Sequence, residues 1–78
     1  MAETNTLTMV LRNTQMLNVA VRLEPWGEEF VLPHDGELQI AISGPADGRI
    51  DLHLQEGGIT VWGWVGSVLH AQINRKEI

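Results

Sequence analysis

The chain contains no cysteine, which excludes a disulfide framework, a thiolate metal site and a cysteine nucleophile. Basic side chains are scarce: 5 Lys and Arg stand against 10 Asp and Glu, for a formal net charge of -5. They are Arg12, Arg22, Arg49, Arg75 and Lys76, adjacent only at the last two. A phosphate backbone needs a basic stripe and an anionic membrane surface attracts one, so neither nucleic acid nor membrane is an expected partner. No apolar run approaches the roughly 20 residues of a spanning helix. The segment from Met1 to Thr6 has neither the basic start nor the apolar stretch of a signal peptide. A cytoplasmic location is the resulting expectation.

What is present is alternation. Apolar and polar residues exchange with period two almost everywhere, which places successive side chains on opposite faces of a sheet. Leu7, Met9 and Leu11 begin the pattern. Leu17, Val19, Val21 and Leu23 continue it, followed by Phe30 and Leu32, then Leu38, Ile40 and Ile42, then Ile50, Leu52 and Leu54. The last two runs span Ile59 to Val65 and Leu69 to Arg75. Between them lie turn formers such as Pro25-Trp26-Gly27, Asp35-Gly36, Gly44-Pro45, Glu56-Gly57-Gly58 and Gly66-Ser67, residues that supply positive φ, fixed φ or local hydrogen bonds. The expectation is one all-β domain over residues 1–78, a small antiparallel β-sandwich or flattened barrel of six to seven strands, with residues 1–5 as a disordered N-terminus. Its core is drawn from Leu11, Leu17, Val19, Val21, Leu23, Phe30, Leu38, Ile40, Ile42, Leu52, Leu54, Val61 and Ile73. A domain of 78 residues recovers only about 60% of its unfolded surface, so oligomerisation is an obvious added support.

Face matching suggests hairpin registers. A two-residue turn at Gly57-Gly58 sets Leu54 opposite Val61, His53 opposite Trp62 and Asp51 opposite Trp64. A three-residue loop at Gly66-Ser67-Val68 sets Val65 opposite Leu69, Trp64 opposite His70 and Trp62 opposite Gln72. A loop at Asn13-Thr14-Gln15 pairs Leu11 with Leu17 and Met9 with Val19. A bulge at Gly63 would shift this arrangement and turn one indole inward.

In these registers Asp51, His53, Thr60, Trp62, Trp64, His70 and Gln72 share one outward face. Each indole can bury about 150–250 Å² of surface, so an outward pair implies a cover. Two readings follow. The indoles pack as structure, against a loop, the second sheet or another copy of the chain; or they form a binding platform, stacking on a sugar or a peptide while His, Asp and Gln supply directional hydrogen bonds. The candidate binding residues are Trp62, Trp64, His53, His70, Asp51 and Gln72.

Other constellations are weaker. Trp26, bracketed by Pro25 and Gly27, reads as a plug for an open sandwich end. Glu24, Glu28 and Glu29 read as a solvated acidic turn. The pair His53 and His70 is within geometric reach of a shared metal in the proposed register, with His34 at a remote turn, but no fixed ligand spacing supports a resident metal or cofactor. Ser43 and Ser67 lack a nucleophile-elbow context, and Gly44 to Gly48 lacks the Lys of a phosphate loop.

The segment Leu23-Glu24-Pro25-Trp26-Gly27-Glu28, the Gly44-Pro45 turn and the Val61-Trp62-Gly63-Trp64 strand resemble short bacterial all-β proteins to which no activity attaches. The strand pattern also broadly resembles the cupredoxin sandwich, without the copper-ligating Cys of that family. The reading that emerges is a non-enzymatic protein-interaction module, self-associating or binding another protein through a Trp-bearing sheet face. The alternatives are a saccharide-binding domain and a metal-dependent enzyme using His53 and His70.

Overall fold

The computed structural model describes residues 4–74, which form strands and connections and contain no helix. The strands are β1 (Thr4–Arg12), β2 (Val19–Glu24), β3 (Glu28–Leu32), β4 (Glu37–Pro45), β5 (Asp51–Gln55), β6 (Gly58–Trp62) and β7 (Val68–Asn74). They build two sheets, one ordered β1-β4-β7 and the other β3-β2-β6-β5. The all-β expectation therefore holds, as an open sandwich rather than a closed barrel. The expected disordered N-terminus does not reach Thr4 and Asn5, which belong to β1 and pair with Pro45 and Gly44 of β4; residues 1–3 of that expectation lie outside the described residues.

Alternation explains the layering. Val21 and Leu23 of β2, Leu32 of β3, Leu38, Ile40 and Ile42 of β4, Val61 of β6 and Leu69 of β7 are buried between the sheets. Met9, Leu11, Val19, Phe30, Ile59 and Ile73 pack around them, half-buried. Three expected core members are exposed instead: Leu17 at 78%, Leu52 at 49% and Leu54 at 83%. Leu17 lies in the β1–β2 connection, outside any strand. Leu52 and Leu54 do have inward parity, opposite Val61 and Ile59, but β5 is the end strand of its sheet and little of the opposing sheet covers it.

Pairing departs from simple hairpins in three places. β1 pairs with β4 along its whole length, Leu11 opposite Leu38 and Met9 opposite Ile40, so the expected β1–β2 hairpin does not form. β7 also pairs with β4, Leu69 opposite Ile42, so the β6–β7 connection crosses between sheets instead of closing a hairpin. β6 runs parallel to β2, Val61 beside Leu23, and antiparallel to β5. The β5–β6 turn is Glu56-Gly57, one step earlier than expected, which sets Asp51 opposite Trp62 and His53 opposite Thr60. Gly58 is needed in the strand: a Cβ there would stand 2.7 Å from the Ala20 carbonyl oxygen of β2. The shift is an even number of residues, so the faces of β5 and β6 survive it.

Asn13 ties together the end of the sandwich where β1 and β3 finish. Its side chain is 4% exposed. Nδ2 donates to the carbonyls of Leu17 (2.8 Å) and Leu32 (2.9 Å), and Oδ1 accepts from the Gln15 N–H (2.9 Å). Its backbone N–H donates to Gly36 O (3.0 Å) and its carbonyl accepts from Asp35 N (2.8 Å). One residue thereby satisfies the polar groups of two adjoining connections, as burial requires.

Candidate functional site

The outer face of the four-stranded sheet is a small grid fixed by the registers. One row reads Glu29, Arg22, Thr60, His53, and the next reads Glu24, Trp62, Asp51. Trp62 therefore has a carboxylate on each side, Glu24 from the parallel neighbour and Asp51 from the antiparallel one. It is 38% exposed. His53 lies diagonally across, its ring centroid 6.4 Å from the indole and tilted by 42°. The indole N–H has no hydrogen-bond partner among the described residues.

Local electrostatics around this indole are organised by two ion pairs. Arg22 donates to Glu29 Oε2 at 2.8 Å, and Arg49 approaches Asp51 at 3.3 Å. The hydrogen bond and charge of Glu29 raise the Arg22 guanidinium above its ordinary pKa. Thr60, buried beneath this face, receives a hydrogen bond from Gln55 Nε2 at 3.1 Å. The result is a flat polar surface with one large apolar body in it.

The remaining expected site residues are not in this patch. β6 ends at Trp62, so the expected run to Val65 stops short and Trp64 escapes strand parity. Trp64 is half-buried against the core, and its Nε1 donates to the Pro45 carbonyl at 2.9 Å. A Cβ at Gly48 would stand 2.0 Å from its ring, so the glycine is the seat of the indole. The chain leaves the strand at Gly63, where Trp26 of the β2–β3 turn lies so close that a Cβ would be 2.3 Å from Cη2. Trp26 and Trp64 thus finish the end of the sandwich together, and only Trp62 faces outward on the sheet.

His70 and Gln72 lie on the outer face of the other sheet, opposite Ala41 and Gln39 of β4. The expected neighbours of Trp62 on that side do not meet it, because β7 has joined β4. His53 and His70 consequently stand on different sheets, and no cluster of three or more His, Asp or Glu suited to a metal occurs among the described residues. His34 is at the far end, its Nδ1 2.8 Å from the Gln15 carbonyl. Ser67 is engaged in its own turn, accepting from Trp64 N (3.1 Å) and donating to Trp64 O (2.6 Å).

One concavity was not foreseen. A cleft of about 400 Å³ opens between β1 and β5 near Asn13, floored by Leu11, Val19, Val21 and Ile59, with Leu54 at its edge. It exists because β1 pairs across to β4 rather than to β2. Three polar side chains at its rim are already partnered: Asn13 as described, Gln55 with Thr60, and Arg12 with Glu37. No helix among the described residues is long and apolar enough to cross a membrane. The chain matches no known protein family, no curated protein and no solved structure.

Proposed function

We propose that the protein is a non-enzymatic interaction module that self-associates through the Trp62-bearing side of its four-stranded sheet. The observation that carries this reading is the apolar surface left open on this side of the sheet: Trp62 is 38% exposed on the outer face, and at the β5 edge Leu52 and Leu54, of inward parity, are 49% and 83% exposed. Apolar side chains left open in this way gain stability when water is removed from them. A domain of 78 residues has little core of its own to draw on, and a second copy extends it. Sedimentation velocity over a concentration series is the test. The expected result is a monomer–dimer equilibrium that weakens with Trp62→Ser. A strictly monomeric wild type at high micromolar concentration overturns the reading.

A second reading is favoured by the grid itself. An indole flanked by Glu24 and Asp51, with His53 tilted beside it, offers a stacking face and hydrogen-bond acceptors to a saccharide. Tryptophan fluorescence against a glycan panel tests it: a saturable shift abolished by Trp62→Ser supports it, and silence across the panel removes it.

A further inference from the structure

We propose that β5 is the seam of a twofold dimer, pairing antiparallel with β5 of a second copy so that His53 sits on the axis and Leu52 faces Leu54 of the partner subunit. The proposal rests on the self-association reading and gives it a register: the seam runs along the edge of the sheet that carries Trp62, and the indole stays on the outer face one strand away.

The free edge of β5 is built for this. Because only Glu56 and Gly57 separate Gln55 from its partner Gly58, that closing pair must be the hydrogen-bonded kind, and hydrogen-bonded and non-hydrogen-bonded pairs then alternate along the ladder. Asp51, His53 and Gln55 direct their backbone groups to β6. Leu52 and Leu54 direct theirs away from it, and among the described residues β5 has no neighbouring strand on that side. The same two residues carry the exposed apolar side chains, on the inner face of the sheet where opposing cover is thin. Unpaired backbone and unburied side chains therefore coincide at Leu52 and Leu54.

Edge strands are normally blunted by proline, lysine, a bulge or an inward-pointing charge. Asp51–Gln55 has none of these, since its one formal charge, Asp51, has outward parity. The other edge of the sheet is protected: β3 opens with Glu28 and Glu29 and is followed by Pro33.

Symmetry limits the register, and the pairing of the two leucines selects it. A twofold axis normal to the sheet keeps inner faces on one side, so paired residues must have the same parity. With His53 on the axis, Leu52 opposes Leu54 of the partner subunit twice over. Each such pair exchanges two backbone hydrogen bonds, because both residues point their N–H and C=O outward, and each buries two leucines. His53 meets its counterpart as the intervening non-hydrogen-bonded pair on the outer face. Charge favours the antiparallel sense as well. Arg49, exposed just before β5, comes beside the Glu56-Gly57 turn of the partner copy, whereas a parallel seam would set arginine on arginine. The two four-stranded sheets then become one continuous sheet.

The absence of cysteine permits a direct positional test on the full chain. In a non-hydrogen-bonded antiparallel pair the Cα atoms are about 4.5 Å apart, within the range a disulfide spans. His53→Cys should therefore form a covalent dimer on mild oxidation. Gln55→Cys should not, because the register separates it from its own counterpart by about 13 Å along the strands. Leu54→Lys, at a side chain that is 83% exposed, should fold as the wild type does and weaken dimerisation by roughly 30-fold or more, the size of a hot-spot loss. Leu54→Pro should act alike by removing the N–H aimed at the seam. A dimeric wild type with no His53→Cys disulfide and no effect of either Leu54 variant overturns the β5 seam while self-association stands. A wild type monomeric at every concentration overturns both.

Discussion

Gly48 lies beneath the indole of Trp64 so closely that a Cβ at position 48 would stand 2.0 Å from Trp64 Cε2. Gly48 is not among the residues with positive φ, so the requirement for glycine is steric. The indole cannot simply swing aside without losing the hydrogen bond from Nε1 to the Pro45 carbonyl. Gly48→Ala should therefore cost about 1–3 kcal/mol, the usual penalty of overpacking. Urea unfolding measures the loss, and near-ultraviolet circular dichroism should show Trp64 displaced. A variant as stable as the wild type, with an unchanged aromatic signal, would contradict the packing described.

Asn13 is the polar counterpart of that contact at the opposite end. Asn13→Ala leaves the Leu17 and Leu32 carbonyls without the donor Nδ2 and the Gln15 N–H without its acceptor. Each group left unsatisfied and shielded from water costs about 1–3 kcal/mol. Asn13→Asp should be no better, because it keeps the acceptor but turns a carboxylate oxygen toward two carbonyls. Equilibrium unfolding of the two variants checks this, with Thr14→Ala, an exposed neighbour, expected to fall within about 0.5 kcal/mol of the wild type.

Two residues of identical inward parity should behave oppositely when truncated. Ile40 is 0% exposed in the central strand of its sheet, and Ile40→Ala should cost about 2–5 kcal/mol. For a domain of ordinary marginal stability this removes much of the folded population. Leu54 is 83% exposed, and Leu54→Ala should change monomer stability by no more than about 0.5 kcal/mol. Thermal melts at a concentration below dimerisation separate the two. Equal losses would mean that β5 is covered within one chain.

That contrast marks where sequence reading succeeds and where it ends. Alternation is a local property, so Val21, Leu23, Ile40, Ile42 and Val61 could be assigned to an inner face from their neighbours alone. Burial is not local. Leu54 has the parity of a core residue and lies in the open because of how the two sheets overlap, which depends on β1 choosing β4 over β2. The same choice of partner by β7 carries His70 and Gln72 away from Trp62. Hairpin reasoning favours strands adjacent in the chain and has no access to a parallel β2–β6 pair. Gly58 illustrates the limit: as one of two consecutive glycines it reads as a turn residue, and only the approach of the Ala20 carbonyl shows why the strand requires it. Asn13 read as an ordinary loop residue, and no spacing in the sequence announces that its amide bridges two connections.

The outward position of Trp62 makes a prediction about light rather than stability. Of the three tryptophans, Trp26 and Trp64 are half-buried against the core and each covers a glycine, while Trp62 is 38% exposed on a sheet face. Acrylamide, which is neutral, should quench a distinct accessible fraction of the emission, and Trp62→Phe should remove that fraction. Charge sharpens the test. Trp62 stands between Glu24 and Asp51 on a chain of net charge -5. Each quencher being scaled to its action on free N-acetyltryptophanamide, iodide should therefore quench it less than acrylamide does and caesium should quench it more, and the difference should shrink as salt is raised past the point where the Debye length falls below about 8 Å. Arg22 and Arg49 work against this by pairing with Glu29 and Asp51, so Arg22→Gln should widen the gap between the two ionic quenchers. If anionic and cationic quenchers act alike on the accessible fraction at low salt, the indole does not lie between these two carboxylates.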